Sequence, residues 1–266
     1  MKAILTVAGS DSSGGAGIQA DLKTIAANGA YGLTVVTAVT AQNARAVNAS
    51  MPVTANLIAA QFAAVFEAFD IAAVKSGMLV DRERTAAVAE EFRNRGAPNY
   101  VLDPVITSSS GYPLLEPEAV AVMLDDLAPM AKLVTPNVPE LELMTGRPVR
   151  TLADARAAAH VLIDRGCRAV LVKGGHLDAA PATDLLVTPG MEQAFAGDFI
   201  PTAGASGTGC AYSSAIATFL GRGENLIDAI DKAKGYVTAA IRHGPAVGRE
   251  AGPMDHFHAV RREKQE

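Results

Sequence analysis

Short apolar runs alternate along this chain with longer stretches whose apolar residues recur at helical spacing. That alternation is the strongest constraint on the fold. A strand that is apolar throughout is buried on both faces. Strand–helix–strand units lay such strands parallel, with helices above and below. Residues 3–8, 33–39, 71–75, 100–102, 131–135 and 168–173 read as strands. Helices are expected up to about residue 28 and over 54–68, 81–95, 116–127, 137–145, 152–165, 209–221 and 225–242. Gly96, Gly146 and Gly166 act as helix stops. The stretch 54–68 is helical by period and puts Leu57, Ile58, Phe62, Val65, Phe66 and Phe69 on one apolar side, which should face the core. Residues 183–200 alternate around Pro189-Gly190 and suggest an antiparallel hairpin. The expected architecture is α/β: a three-layer α/β/α sandwich with a mostly parallel central sheet. No repeat, linker or low-complexity tract divides it, so one domain over 1–266 is expected, without a separate lid domain.

Composition narrows the partners. The chain is 49% hydrophobic and 19% charged, which suits a globular core. Its net charge of −5, the absence of tryptophan and the lack of a basic stripe argue against nucleic acid. The tail Arg261-Arg262-Glu263-Lys264 mixes both signs. Two cysteines, Cys167 and Cys210, suit a reduced, cytoplasmic protein. The apolar run at 3–8 is too short for a signal peptide or a membrane span. The five histidines show no zinc spacing, and His256-Phe257-His258 reads as packing.

Parallel sheets bind ligands beyond the carboxyl ends of their strands. That rule selects Ser10-Asp11, Gln42-Asn43, Lys75, Asp103, Asn137 and Lys173. The glycine-rich loop 9–21 fits a loose dinucleotide fingerprint. The ribose-binding acid is missing, because Thr40, Ala41 and Gln42 hold its place, and no P-loop motif occurs. Asp103 before Pro104 is either a turn cap or a site residue. Asn137 and Glu140 form a capping box or serve a metal-bound phosphate. Lys173, ahead of Gly174-Gly175-His176, is a phosphate-binding point charge or a solvated loop lysine. Ser206-Gly207-Thr208-Gly209-Cys210 opens a helix, where backbone N–H groups and the helix dipole favour an anion. Cys210 would lie in a field that lowers its thiol pKa. The alternative is a simple loop with a buried cysteine.

Taken together, these segments resemble the hydroxymethylpyrimidine/phosphomethylpyrimidine kinases of thiamine biosynthesis, a branch of the ribokinase-like family. The resemblance runs from Ala8-Gly9-Ser10-Asp11 through Asp21, Gln42-Asn43, Val74-Lys75-Ser76-Gly77-Met78 and Asp103-Pro104-Val105. It continues through Asn137, Glu140, Lys173-Gly174-Gly175-His176 and Gly207-Thr208-Gly209-Cys210 to Asp255-His256-Phe257-His258. It implies a ribokinase-like sandwich, ATP with Mg²⁺, a pyrimidine alcohol as substrate and a homodimer. It implies that Gln42 hydrogen-bonds the aminopyrimidine, with Gly9, Ala16, Asp21, Met78 and Val105 lining its pocket. Asn137, Lys173, Thr208 and Gly209 would bind the nucleotide, and Asp103 and Glu140 the metal. Cys210, Gly207, Thr208, Gly209 and Lys173 would carry the transfer.

The chain departs from the family pattern near the phosphate end. Gly204-Ala205-Ser206 replaces Asn-Thr-His, Ala211 replaces threonine, and Ser109-Ser110-Gly111-Tyr112 replaces Lys-Ser-Gly-Asp. These changes carry the expectation of a weakened second phosphorylation or of a redirected substrate such as pyridoxal. A non-catalytic pyrimidine-binding relative is the further alternative. A loose phosphoryl-transfer transition state needs little base assistance, so Cys210 is expected to matter moderately.

Overall fold

The structure is a computed structural model and describes residues 1–108, 110–174, 183–198, 200, 207–245, 247 and 252–259. A nine-stranded sheet runs in the order β3-β2-β1-β4-β5-β6-β7-β8-β9. Its parallel centre comprises β1 (Ala3–Asp11), β2 (Tyr31–Gln42), β4 (Ile71–Ser76), β5 (Val101–Leu102), β6 (Leu133–Val134) and β7 (Val170–Val172). β3 (Val47–Pro52) closes one edge antiparallel to β2. The hairpin of β8 (Asp184–Thr188) and β9 (Met191–Phe195) closes the other, where the alternating pattern had suggested one.

Helices cover both faces. They are α1 (Gly17–Ala27), α2 (Ala55–Ala68), α3 (Arg82–Arg95), α4 (Pro117–Val122), α5 (Val138–Thr145), α6 (Leu152–Asp164), α7 (Thr208–Gly221) and α8 (Leu226–Arg242). Successive residues of β1 point to opposite sides. Ile4 joins Ile25, Ile216 and Ile230 under α1, α7 and α8, while Leu5 joins Ile58, Phe62 and Val88 under α2 and α3. These two cores make the three layers. Sequence-local signals set the helix ends. Asp81 and Thr151 accept hydrogen bonds at the starts of α3 and α6, and Gly146 closes α5 in the left-handed region.

Three local readings change. Leu57 and Phe69 are exposed rather than buried, and Phe69 stacks on Tyr31 at 5.8 Å. The helix expected at 116–127 is α4 followed by a π-helical stretch, Met123–Leu127. β3 carries no strong strand signal, since Asn48 and Ser50 interrupt it; it is recruited by pairing with β2.

α7 lies close to the sheet because small residues line it. A Cβ on Gly221 would stand 2.4 Å from Ile4 Cδ1 and 3.1 Å from Ala73 Cβ, so the Ile4 side chain would have to shift to admit one. His256 is buried against α1, with Nδ1 3.2 Å from Thr24 Oγ1.

Candidate active site

The C-terminal ends of β1, β2, β4, β5, β6 and β7 and the N-terminus of α7 form one continuous site. At the end of β1 the pairing register with β2 shifts between Ala8 and Ser10. The chain then turns into α1 through a loop organised by Asp11. The Asp11 carboxylate accepts from Ser13 N at 2.8 Å and from Ala16 N at 2.7 Å. Lys23 Nζ donates to Gly14 O at 2.8 Å and braces the turn from α1.

This loop forms one wall of a small, partly open cavity. Gly9, Ala16, Gln42, Met78, Val105 and Cys210 line it. The Met78 side chain lies over Gly9, where a Cβ would sit 2.8 Å from its sulfur. Gln42 is half-buried and its Oε1 accepts from Thr40 Oγ1 at 3.2 Å, which leaves its amide N–H groups available to a ligand.

Asp21 is the exception among the expected lining residues. It is fully buried behind the cavity wall, where its carboxylate is held by Lys75 Nζ at 2.9 and 3.0 Å, Thr6 Oγ1 at 2.6 Å and Ser214 Oγ at 2.7 Å. Lys75, rather than Asp21, forms part of the cavity wall. The sequence signal for Lys75 was a cation at the end of an apolar strand. Ser213 and Ser214 carried a weaker signal, two hydroxyls in a helix otherwise rich in small apolar residues.

Beyond Cys210 the site becomes charged. Lys173 Nζ lies 2.8 Å from Asp103 Oδ1 and 3.9 Å from Glu140 Oε2. It is not a solvated loop lysine. Its backbone N–H donates to Pro136 O, and residues 137 and 173 form a parallel bridge. Asp103 is more than a turn cap, since its Oδ2 also accepts from Ser213 Oγ at 3.1 Å. Asn137 and Glu140 form the capping box of α5, with both reciprocal bonds at 2.8 Å. The same box delivers the Glu140 carboxylate beside Lys173, so the two readings of this pair are compatible.

Electrostatics follow from burial and pairing. Burial pushes the Asp103 carboxyl up, but Lys173 and Lys75 bring it below the ordinary range. Burial opposes charge on Lys173 as well, and Asp103 and Glu140 overcome it, raising its pKa. Glu140 goes the other way: burial lifts it to about 7, only partly offset by Lys173. The expected low thiol pKa at Cys210 is corrected. Burial pushes it up to about 11, with Lys75 opposing and Asp21 and Asp103 adding to the rise. Desolvation outweighs the helix terminus, so Cys210 is a neutral thiol at physiological pH.

Gly207 caps α7 with φ +81°, and a Cβ there would fall 2.0 Å from Gly15 O. α7 has no side-chain cap, so the N–H groups of Thr208, Gly209 and Cys210 lack intrahelical acceptors. Lys173 reaches this terminus, because a Cβ on Gly209 would lie 3.2 Å from its Nζ. A cation and N–H groups without intrahelical acceptors therefore lie together at this terminus. Gly175, His176, Ser109, Gly204, Ala205, Ser206 and the tail from Arg261 lie outside the described residues. Ala211 is fully buried in the core under α7, and Tyr112 is 37% exposed.

Asp103 and Glu140 offer hard oxygen donors on either side of Lys173. Among the described residues no group of three or more His, Cys, Asp or Glu could hold a metal. This donor set is too sparse for an all-protein cage, but it fits a magnesium ion that arrives coordinated to phosphates.

A family model described as phosphomethylpyrimidine kinase matches residues 11–255. The chain belongs to that family. A hydroxymethylpyrimidine/phosphomethylpyrimidine kinase of Rhizobium meliloti is 46% identical over 257 residues, covering 96% of each chain. The crystal structure of a phosphomethylpyrimidine kinase from Clostridium difficile superposes with TM-score 0.81 at 40% identity, over 91% of this chain and 100% of that one. An ADP complex of Bacillus subtilis pyridoxal kinase superposes with TM-score 0.90 at 32% identity, over 98% and 99% of the two chains. The family's kinase chemistry agrees with the division seen here, a small, mostly apolar cavity beside a helix terminus that Lys173 reaches.

Proposed function

We propose that the protein transfers the γ-phosphoryl group of ATP to the hydroxyl of 4-amino-5-hydroxymethyl-2-methylpyrimidine, and then a second phosphoryl group to the monophosphate, in thiamine biosynthesis. One observation carries this reading. The cavity lined by Gln42 and Met78 is bounded by Cys210 in the first turn of α7, and Lys173 reaches Gly209 in that same turn.

Gln42 would hydrogen-bond the aminopyrimidine edge, with Gly9, Ala16, Met78 and Val105 packing on the ring. Lys173, Asn137 and the N–H groups of Thr208 and Gly209 would hold the nucleotide phosphates. Asp103 and Glu140 would hold Mg²⁺, which when bound neutralises phosphate charge. In the transfer, the substrate oxygen bonds to the γ-phosphorus and the bond from phosphorus to the β,γ-bridging oxygen breaks. Its electron pair leaves with ADP. The hydroxyl proton ends on an oxygen of the transferred phosphoryl group. The loose transition state makes alignment and charge neutralisation the main tasks. Gly207, Thr208, Gly209 and Cys210 supply the donors for that charge. Cys210 packs there as a neutral thiol and needs no role as base.

The paired geometry of Lys173, Asp103 and Glu140 argues for turnover over mere binding. Purified protein incubated with ATP, Mg²⁺ and the pyrimidine alcohol should yield the monophosphate and then the diphosphate by mass spectrometry. Pyridoxal in the same assay should be the poorer acceptor. Absence of both pyrimidine products would sink the reading. A cytoplasmic homodimer completes it, with light scattering as the check.

A further inference from the structure

Among the described residues, Lys75 is the site-lining cation that the pyrimidine-kinase reading leaves without work. It ends β4 and has 0% exposure, yet it forms part of the cavity wall beside Cys210. Nζ donates to both oxygens of Asp21. An ammonium has three hydrogens, and among the described residues no other acceptor takes a hydrogen from Lys75. Gly77 leaves room for the head group, since a Cβ there would stand 2.9 Å from Nζ. Burial opposes the charge, but Asp21 and then Asp103 outweigh it and keep the side chain an ammonium.

Asp21 is already saturated by its donors. Lys75, Thr6 and Ser214 hold it from β4, β1 and α7. It anchors Lys75 and is too enclosed to touch a ligand itself. With Cys210 neutral, Lys75 is the cation among the described residues that line the cavity, and Asp11 is the anion.

We propose that Lys75 is a catalytic residue, donating a hydrogen bond from the cavity wall to the hydroxyl oxygen of the acceptor alcohol and so fixing its direction of attack. The assignment rests on the pyrimidine-kinase reading of the cavity. Bond formation to the nucleophile is little advanced in a loose transition state. A donor on the hydroxyl therefore costs little nucleophilicity, while its orientation is gained. The ammonium takes no proton in the step.

Calorimetry without nucleotide tests this contact separately from turnover. The ligands are the pyrimidine alcohol and its 5-methyl analogue, which lacks only the hydroxyl. Wild type should prefer the alcohol by about tenfold or more, the scale of a hydrogen bond to a charged group. Lys75→Met combined with Asp21→Asn removes both charges together and keeps an acceptor for Thr6 and Ser214. That variant should bind both ligands alike and lose about a hundredfold in kcat. Gly77→Ala, which crowds Nζ and leaves the ion pair charged, should also erode the preference. A purely structural Lys75 would weaken both ligands equally, and a preserved preference in the double variant would overturn the proposal. Wild type that binds both ligands without preference would overturn it too. Wild type that binds neither ligand would refute the pyrimidine reading itself, and the proposal with it.

Discussion

Lys173 Nζ meets Asp103 Oδ1 at 2.8 Å, joining residues 70 apart in sequence at the ends of β7 and β5. The lysine side chain is 14% exposed and the aspartate 2%, so the pair is largely desolvated. Removing one partner leaves the other charge buried. That costs about 3–5 kcal/mol in comparable sites. Asp103→Ala and Lys173→Ala should each lose at least about a hundredfold in kcat. Asp103→Ala should also lower the urea midpoint clearly. A coupled assay for ADP release reads the first effect, and fluorescence-monitored urea unfolding the second.

Cys210→Ala should lose less than about tenfold in kcat, below the range of a lost general base. Burial holds the thiol at about 11, so the rate should show no ionisation of Cys210 between pH 7 and 9. Iodoacetamide should modify it slowly at pH 7.5, as mass spectrometry would report. A loss matching that of Lys173→Ala would refute this assignment.

Gly207→Ala should be far more damaging than its size suggests. The residue adopts φ +81°, and a Cβ would collide with Gly15 O. Any relief moves the α7 N-terminus away from loop 9–21, and with it Thr208 and Gly209. Loss of most activity, with a urea midpoint lowered by about 2 kcal/mol or more of stability, is the expected outcome.

His256 makes the acid side of the stability curve steeper. Burial, then Lys23, hold its pKa down to about 4, with Asp255 opposing and His258 adding. Between pH 6.5 and about 4 the unfolded chain binds a proton here that the folded chain refuses. Stability from this group is therefore complete above pH 6.5 and is lost as pH falls toward 4. Wild type should lose about 2 kcal/mol more than His256→Gln between pH 7 and pH 4.5. Parallel urea titrations at the two pH values are the measurement.

Much of the site was legible one residue at a time. Lys75, Asp103, Asn137 and Lys173 stand where apolar strands end, and the rule for parallel sheets selects such places. The same rule selects the position of Gln42, whereas its contact with the pyrimidine and the place of Met78 were legible only through family resemblance. Cys210 was misread because a helix terminus is a local signal, whereas desolvation depends on what the rest of the chain packs over it. Asp21 was misplaced for the same reason: its saturation comes from β1, β4 and α7.

Sequence by itself determined the strand–helix alternation, the parallel sheet and the helix caps, because hydrophobic period and capping chemistry act over a few neighbouring residues. Tertiary structure alone decided which charges pair, which thiol is neutral and that β3 is a strand. Those outcomes depend on distances between residues far apart in the chain, and electrostatic energy in a buried site changes steeply with such distances.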